Sequence, residues 1–347
     1  MKSSIARLIY RGLLVTSTCL SASHGAGKDD AGGTLGLYLE NDLFAGTDEH
    51  YTSGFKLSWS SHDLEQLSDS RYANPLLPLF DVLPYINEKD YQKNLVFALG
   101  QNFYTPVNTD AEELIYDDRP YAGWLYLGIG VVWKDAAVRN SLVLDIGVVG
   151  PASQAEKVQD IIHDLRGFDS PNGWDNQLDN EIAFTLAYER MWRWPRHARR
   201  SGFDWEVLPH AGLALGTVRT FANAGAELRA GLNLPDDFGT PSIGPAATTS
   251  TPVDGMMAAD RSWFDVGAYL FVRVDGRAVA RNIFLDGNTY SDSHSVSKNP
   301  FVADLSAGAA INYKNTKLSY ALVYRTKEFD EQDDAQVFGT VSLNWTF

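Results

Sequence analysis

The chain has 347 residues, a formal net charge of -15 at pH 7 and a single cysteine, Cys19. That acidity excludes nucleic acid as a partner, because phosphate binding relies on clustered Lys and Arg; an anionic lipid would be met through a divalent cation. With one cysteine no disulfide forms within the chain, and because Cys19 falls in the leader described next, a thiol nucleophile is excluded from the mature protein too.

Residues 1–26 read as a secretory leader: Lys2, Arg7 and Arg11 precede a short apolar run that ends in small residues. The run is too short to span a bilayer as a helix. Cleavage is expected between Ser23 and Ala26, and Thr16-Ser17-Thr18 ahead of Cys19 does not fit lipid attachment. Residues 27–347 then form the mature protein, large for one globular domain but within reach of one all-β unit. No later window has the apolar run that a transmembrane helix requires, so a membrane span must be built from strands.

Period-two alternation predicts those strands. In 141–149, Leu142, Leu144, Ile146 and Val148 share one face while Asp145 and Gly147 take the other; in the last segment Val337, Val341, Leu343, Trp345 and Phe347 alternate with Gln336, Thr340, Ser342 and Asn344. In a membrane barrel the apolar face meets lipid and the polar face lines the lumen. The pattern predicts strands over 34–42, 53–63, 94–104, 121–135, 139–150, 181–194, 203–216, 224–234, 263–282, 301–313, 317–329 and 335–347. Twelve is an even number, and most strands reach the roughly 9–11 residues that cross a bilayer at barrel tilt. The expected fold is an all-β, twelve-stranded antiparallel transmembrane barrel with a short helix in an extracellular loop. Tyr38, Trp59, Tyr104, Trp124, Trp192, Tyr320 and Trp345 lie near strand ends, where interfacial girdles are expected. A secreted β-sandwich is the competing architecture. With both termini in the periplasm, the long connections 64–93 and 235–262 fall where short turns are the rule, and the sequence offers no reason for their length.

In an even barrel the connections after strands 1, 3 and 5 share the outer rim, and these carry the unusual residues. The first runs from Glu40-Asn41-Asp42 through Asp48 to Tyr51-Thr52-Ser53-Gly54, the second from Gln101-Asn102 past Tyr104 to Asp118-Arg119-Pro120-Tyr121. The third contains the one convincing helix: Ser153 is a capping residue with Glu156 completing the box, Val158, Ile161, Ile162 and Leu165 form its apolar stripe, and Gly167 ends it. Gln159 and His163, four residues apart, face the same way. His163 reads either as a general base or as a solvated helix histidine. Asn41 and Asp42 read as oxygen ligands for a hard cation or as an Asx turn ending the strand. Thr52 and Ser53 position water or substrate, or simply start the next strand. Glu181 has lumen parity and reads as a structural carboxylate or as support behind a ligand.

The strings ENDLFAGTDEHYTSG, DRPYAGW and GVVGPASQAEKVQDIIH, followed by GWDNQ, resemble the outer-membrane lipid A deacylase family, LpxR. The likeness runs from the first strand through the sixth and, more loosely, to the C-terminus. It implies a twelve-stranded barrel in the bacterial outer membrane that removes the 3'-acyloxyacyl group of lipid A, depends on Ca²⁺ and has its site between barrel wall and loop helix. Lipid A, lipopolysaccharide and other outer-membrane lipids are then the partners, and the protein is expected to act as a monomer.

Carried over by motif, the resemblance makes His163 the base that activates water and Asp42 the residue near which Ca²⁺ stabilises the oxyanion. Asn41 and Thr52 fix the geometry, Gln159 is the helix-motif glutamine, and Asp169 is the acidic residue after the helix. One departure stands out. The loop TPVNTDAEELIYDD has no lysine where the family pattern has one aimed at a lipid A phosphate. Arg119 is the nearest cation and, with Tyr104, is expected to bind substrate in its place. The alternatives are a phospholipase-type barrel with the same site and a non-catalytic barrel acting as pore, adhesin or scaffold.

Overall fold

The computed structural model describes residues 32–42, 53–70, 72–73, 86, 91–167, 169–195, 202–240, 243 and 266–347. The predicted leader and Thr52 lie outside the described residues. Twelve strands close into one antiparallel barrel in which each pairs with its sequence neighbours and β1 pairs with β12. They are β1 Gly33–Asn41, β2 Ser53–Ser61, β3 Gln92–Tyr104, β4 Ala122–Lys134, β5 Val138–Val149, β6 Glu181–Trp192, β7 Phe203–Gly216, β8 Arg219–Leu232, β9 Val266–Asn282, β10 Phe301–Tyr313, β11 Thr316–Arg325 and β12 Gln336–Thr346.

Two boundaries differ from the sequence reading by four residues or more. Strand β8 begins at Arg219, earlier than expected, because Thr217-Val218 alone makes the hairpin and Phe221 to Ala214 already pair. Strand β11 ends at Arg325, because Glu328 turns inward to Arg119 instead of continuing the ladder.

Alternation decides which side chains meet lipid. Along β1, Leu35 and Leu39 are exposed while Thr34, Tyr38 and Glu40 are buried; in β5, Ile146 is exposed and Asp145 buried. The lumen is consequently polar and filled by paired charges, among them Arg325–Asp304 at 2.8 Å and Lys317–Asp237 at 2.8 Å. Such pairing is what allows ions to stay buried. Aromatic placement corrects the expected girdle. Trp192, Tyr320 and Trp345 do face outward, but Tyr38, Tyr104 and Trp124 are buried in the interior. Phe284 stacks on Tyr104 at 4.1 Å and lies 6.4 Å from Trp124, carried by the short helix Ile283–Asp286. These rings form an apolar cap at the extracellular end.

Both long periplasmic connections have structural roles. Leu64 pairs with Lys93, and Leu67, Ala73 and Ile86 pack against Leu95, Val131 and Trp133, covering outward positions at the periplasmic end of β3 and β4. The connection after β8 turns into the lumen instead. Asp237 binds Arg229 and, at 2.8 Å, Lys317, while Phe238 packs on Met191 and Leu208.

Candidate active site at the outer face of the rim

Helix α1, Ala155–Arg166, follows β5 through a tight 3-10 turn, Pro151–Ser153. Its N-cap is Gln154 in the left-handed region at φ 59°, with no side-chain cap, so the expected Ser153 capping box does not form. Pro151 initiates the preceding turn, which places Ser153 inside it and turns the Ser153 hydroxyl against the barrel wall. Gly167 ends the helix at φ 75°, as expected of a left-handed stop.

The helix docks on the membrane-facing side of the wall. Gln101 and Phe103 have the parity of exposed Leu99, and Gly123 that of exposed Leu127. Phe103, Tyr121, Ala155 and Trp174 form one buried cluster against which Val158 and Ile162 pack. Gln101, a polar residue in a lipid-facing series, donates from Nε2 to the Ser153 carbonyl at 2.7 Å. Gly123 allows the close approach, because a Cβ there would overlap Ser153 Oγ and Ala155 Cβ.

Register ties the three rim segments together. Asn41 pairs with Ser53, Ser53 with Phe103 and Phe103 with Gly123, all on outward parity. Three strand spacings separate Asn41 from Gly123, roughly 14 Å along the rim. Over the Gly123 end lies α1, about 10 Å across with its side chains. Asn41 is half-buried and Asp42 is buried.

On α1, Gln159 is buried and accepts from Trp174 Nε1 at 2.9 Å, which locks the helix to the GWDNQ turn. His163, half-buried, holds Nδ1 2.6 Å from the carbonyl oxygen of Asp169. A carbonyl can only accept, so Nδ1 carries the proton and Nε2 of the neutral ring is the basic nitrogen. Asp169 therefore meets His163 through its backbone. Burial pushes the Tyr121 hydroxyl up to about 12, so this neighbouring phenol stays neutral and is no competing base.

The remaining expected residues face the lumen and are not brought to α1. Glu181 accepts from Thr289 N at 2.7 Å and from Asn288 Nδ2 at 3.2 Å, joining β6 to the loop after β9. Tyr104 stacks under Phe284 and its hydroxyl accepts from Arg219. Arg119 is 1% exposed and its NH2 binds Glu328 at 2.9 Å. Burial would raise the Glu328 carboxyl, but Arg119 and then Arg325 outweigh it and hold it at about 2, below its usual 4.5. A carboxyl depressed on folding adds stability that is complete above about 4.5 and is lost as pH falls toward 2. In Arg119→Met, Glu328 is left buried without this partner, at a cost of about 3–5 kcal/mol. The urea midpoint of the variant is expected to fall, and its stability to change less than the parent's between pH 4.5 and 2. Equal midpoints would remove this pair from the stability of the barrel.

Asn41 and Asp42 offer amide and carboxylate oxygens, the donor kind that suits Ca²⁺. Among the described residues no group of three or more His, Cys, Asp or Glu forms a metal site. Of the residues most informative about the site, Trp174 and Gly123 are not singled out by the sequence, and Gln101 is marked only as the start of the second rim segment. Gln101 interrupts an otherwise apolar parity, and Gly123 sits inside DRPYAGW; both signals were present.

A family model described as outer membrane protein LpxR matches residues 13–347. Among solved structures the chain is similar to LpxR from Salmonella typhimurium, with a TM-score of 0.71 and 21% identity over 90% of this chain and 100% of that one. Lesser likenesses are to the β domain of the Bordetella autotransporter BrkA, at a TM-score of 0.42 and 10% identity over 92% of this chain and 100% of that one. The translocator domain of NalP from Neisseria meningitidis matches at 0.39 and 9% over 99% and 97%. No curated protein matches the chain.

Proposed function

The chain belongs to the LpxR family of outer-membrane proteins, and on that premise we propose that it is a Ca²⁺-dependent ester hydrolase that removes the 3'-acyloxyacyl group of lipid A in the outer leaflet. The observation that carries this reading is the docking of α1 on the lipid-facing side of the wall. A helix over the lumen would serve a solute, whereas one on the outer face at the extracellular rim borders the leaflet where acyl esters lie.

In the proposed mechanism His163 Nε2 takes a proton from water as the oxygen bonds to the ester carbonyl carbon. The bond from the acyl carbon to the sugar oxygen then breaks, and the departing sugar alkoxide recovers that proton from His163. Asp169 holds the ring in the required tautomer through its carbonyl, and Gln159 fixes the pitch of α1 through Trp174. Asn41 orients the ester from the strand side, with Thr52 assigned the same task by motif. Asp42 is the residue that would hold Ca²⁺, which supplies charge stabilisation to the developing oxyanion when bound.

One observation favours a second substrate. No lysine occurs in the loop between β3 and β4, and the Arg119 charge is spent on Glu328, so phosphate recognition there is weaker than the family pattern implies and a glycerophospholipid ester is the competing substrate. Mass spectrometry of lipid A and phospholipids, with purified barrel in Ca²⁺ and in chelator, tests both. Calcium-dependent loss of the 3'-acyloxyacyl group is expected. Acyl loss only from phospholipid would transfer the site to the second substrate, and unchanged lipids would leave a non-catalytic barrel.

A further inference from the structure

The chain segment that enters the lumen after β8 does more than fill space. Its near end is anchored where the strands meet the periplasm: Lys317, the second residue of β11, donates to Asp237 at 2.8 Å and to the Gly239 carbonyl at 2.8 Å. Thr240 N donates to both Glu227 oxygens at 3.1 and 3.2 Å. Ile243, six residues beyond Asp237 and so at most about 21 Å along an extended chain, donates its N–H to Glu40 Oε1 at 2.9 Å. Thr340 Oγ1 donates to the same oxygen at 3.3 Å.

Glu40 is buried on the lumen side of β1, immediately before Asn41, the last residue of that strand, which faces the opposite side. A strand end held by one face alone is free to fray, since terminal ladder bonds open most easily. We propose that Glu40, gripped from within by the lumen segment, is a positioning residue that fixes Asn41-Asp42 for the reaction on the outer face. This rests on the hydrolase reading for its kinetic consequence, but the structural claim can be tested without it.

Full-length barrels carrying Glu40→Ala, Glu40→Gln and Ile243→Pro are compared with the parent. The proline variant leaves every wall residue unchanged; it deletes the N–H donor and fixes φ at that one position of the lumen segment. In calcium-free buffer, amide exchange at Asn41 and Asp42 is expected to rise about tenfold in Glu40→Ala and in Ile243→Pro, with both still heat-modifiable. With Ca²⁺ and lipid A, kcat is expected to fall about 10- to 100-fold at nearly constant KM. Glu40→Gln keeps the accepting oxygen and is expected to restore both readouts to within about threefold.

Parental exchange rates in Glu40→Ala and Ile243→Pro, or Glu40→Gln as impaired as Glu40→Ala, would overturn the proposal. If Glu40→Ala does not fold, Ile243→Pro decides it. A parent inactive on lipid A but with the exchange pattern intact would end the hydrolase reading and leave the positioning claim standing.

Discussion

His163→Ala is expected to lower acyl release by about 10²- to 10⁴-fold, the usual worth of a positioned general base, while the barrel keeps its folded, heat-modifiable form. The side chain contributes little to packing. It is half-buried near the end of α1, and the contact that it makes with Asp169 joins two neighbouring turns of the same loop. The anchors of that loop are elsewhere, in Trp174, Phe103 and the bond from Gln101 to Ser153. Loss of release in a variant with parental urea midpoint therefore reads on chemistry. Release from His163→Ala at the parental rate would remove this residue from the mechanism. His163→Asn is the sharper control, because its amide can reproduce a bond to the Asp169 carbonyl and cannot take a proton.

The same loop shows what a single sequence can and cannot reveal. Twelve strands are legible because each residue in a barrel wall faces one of two unlike environments, and Leu142, Leu144 and Ile146 against Ser141, Val143 and Asp145 record that choice locally. Tyr38 had the wrong destination although the information was there: it alternates with Leu37 and Leu39, which face lipid, so its ring had to face inward, where its hydroxyl donates to Asn344 Oδ1 at 2.7 Å. Being aromatic near a strand end was the weaker signal.

The lumen segment had no local signature at all. Leu234 to Thr240 has neither strand nor helix period, and its partners are dispersed, Arg229 on β8, Lys317 on β11 and Arg193 just past the end of β6, so only closure of the barrel brings them together. Much the same holds for the site. The helix and its His163 follow from local pattern, but which side of the wall the helix covers depends on parity at Gln101, Phe103 and Gly123, of which only Gly123 lies inside one of the motifs.

Gly123→Val is accordingly expected to be as damaging as the loss of a catalytic group, although Gly123 has no side chain and touches no substrate. Its inserted Cβ would occupy the space of Ser153 Oγ and Ala155 Cβ, and neither neighbour can retreat easily. Ser153 belongs to a tight turn whose carbonyl is bonded to Gln101, and Ala155 is the first residue of α1. The whole helix must lift from β4, carrying Gln159 and His163 with it. A displacement of about 1 Å in a catalytic group costs on the order of 100-fold, so acyl release is expected to fall at least that far. The ladders of β4 with β3 and β5 are backbone bonds to which a β-branched residue is well suited, so the barrel is expected to stay folded. Leu127→Val, at an exposed position of the same outward series, is the matched control and is expected to be silent. Equal activity in Gly123→Val and Leu127→Val would mean that the seat of α1 on the outer wall does not govern the reaction.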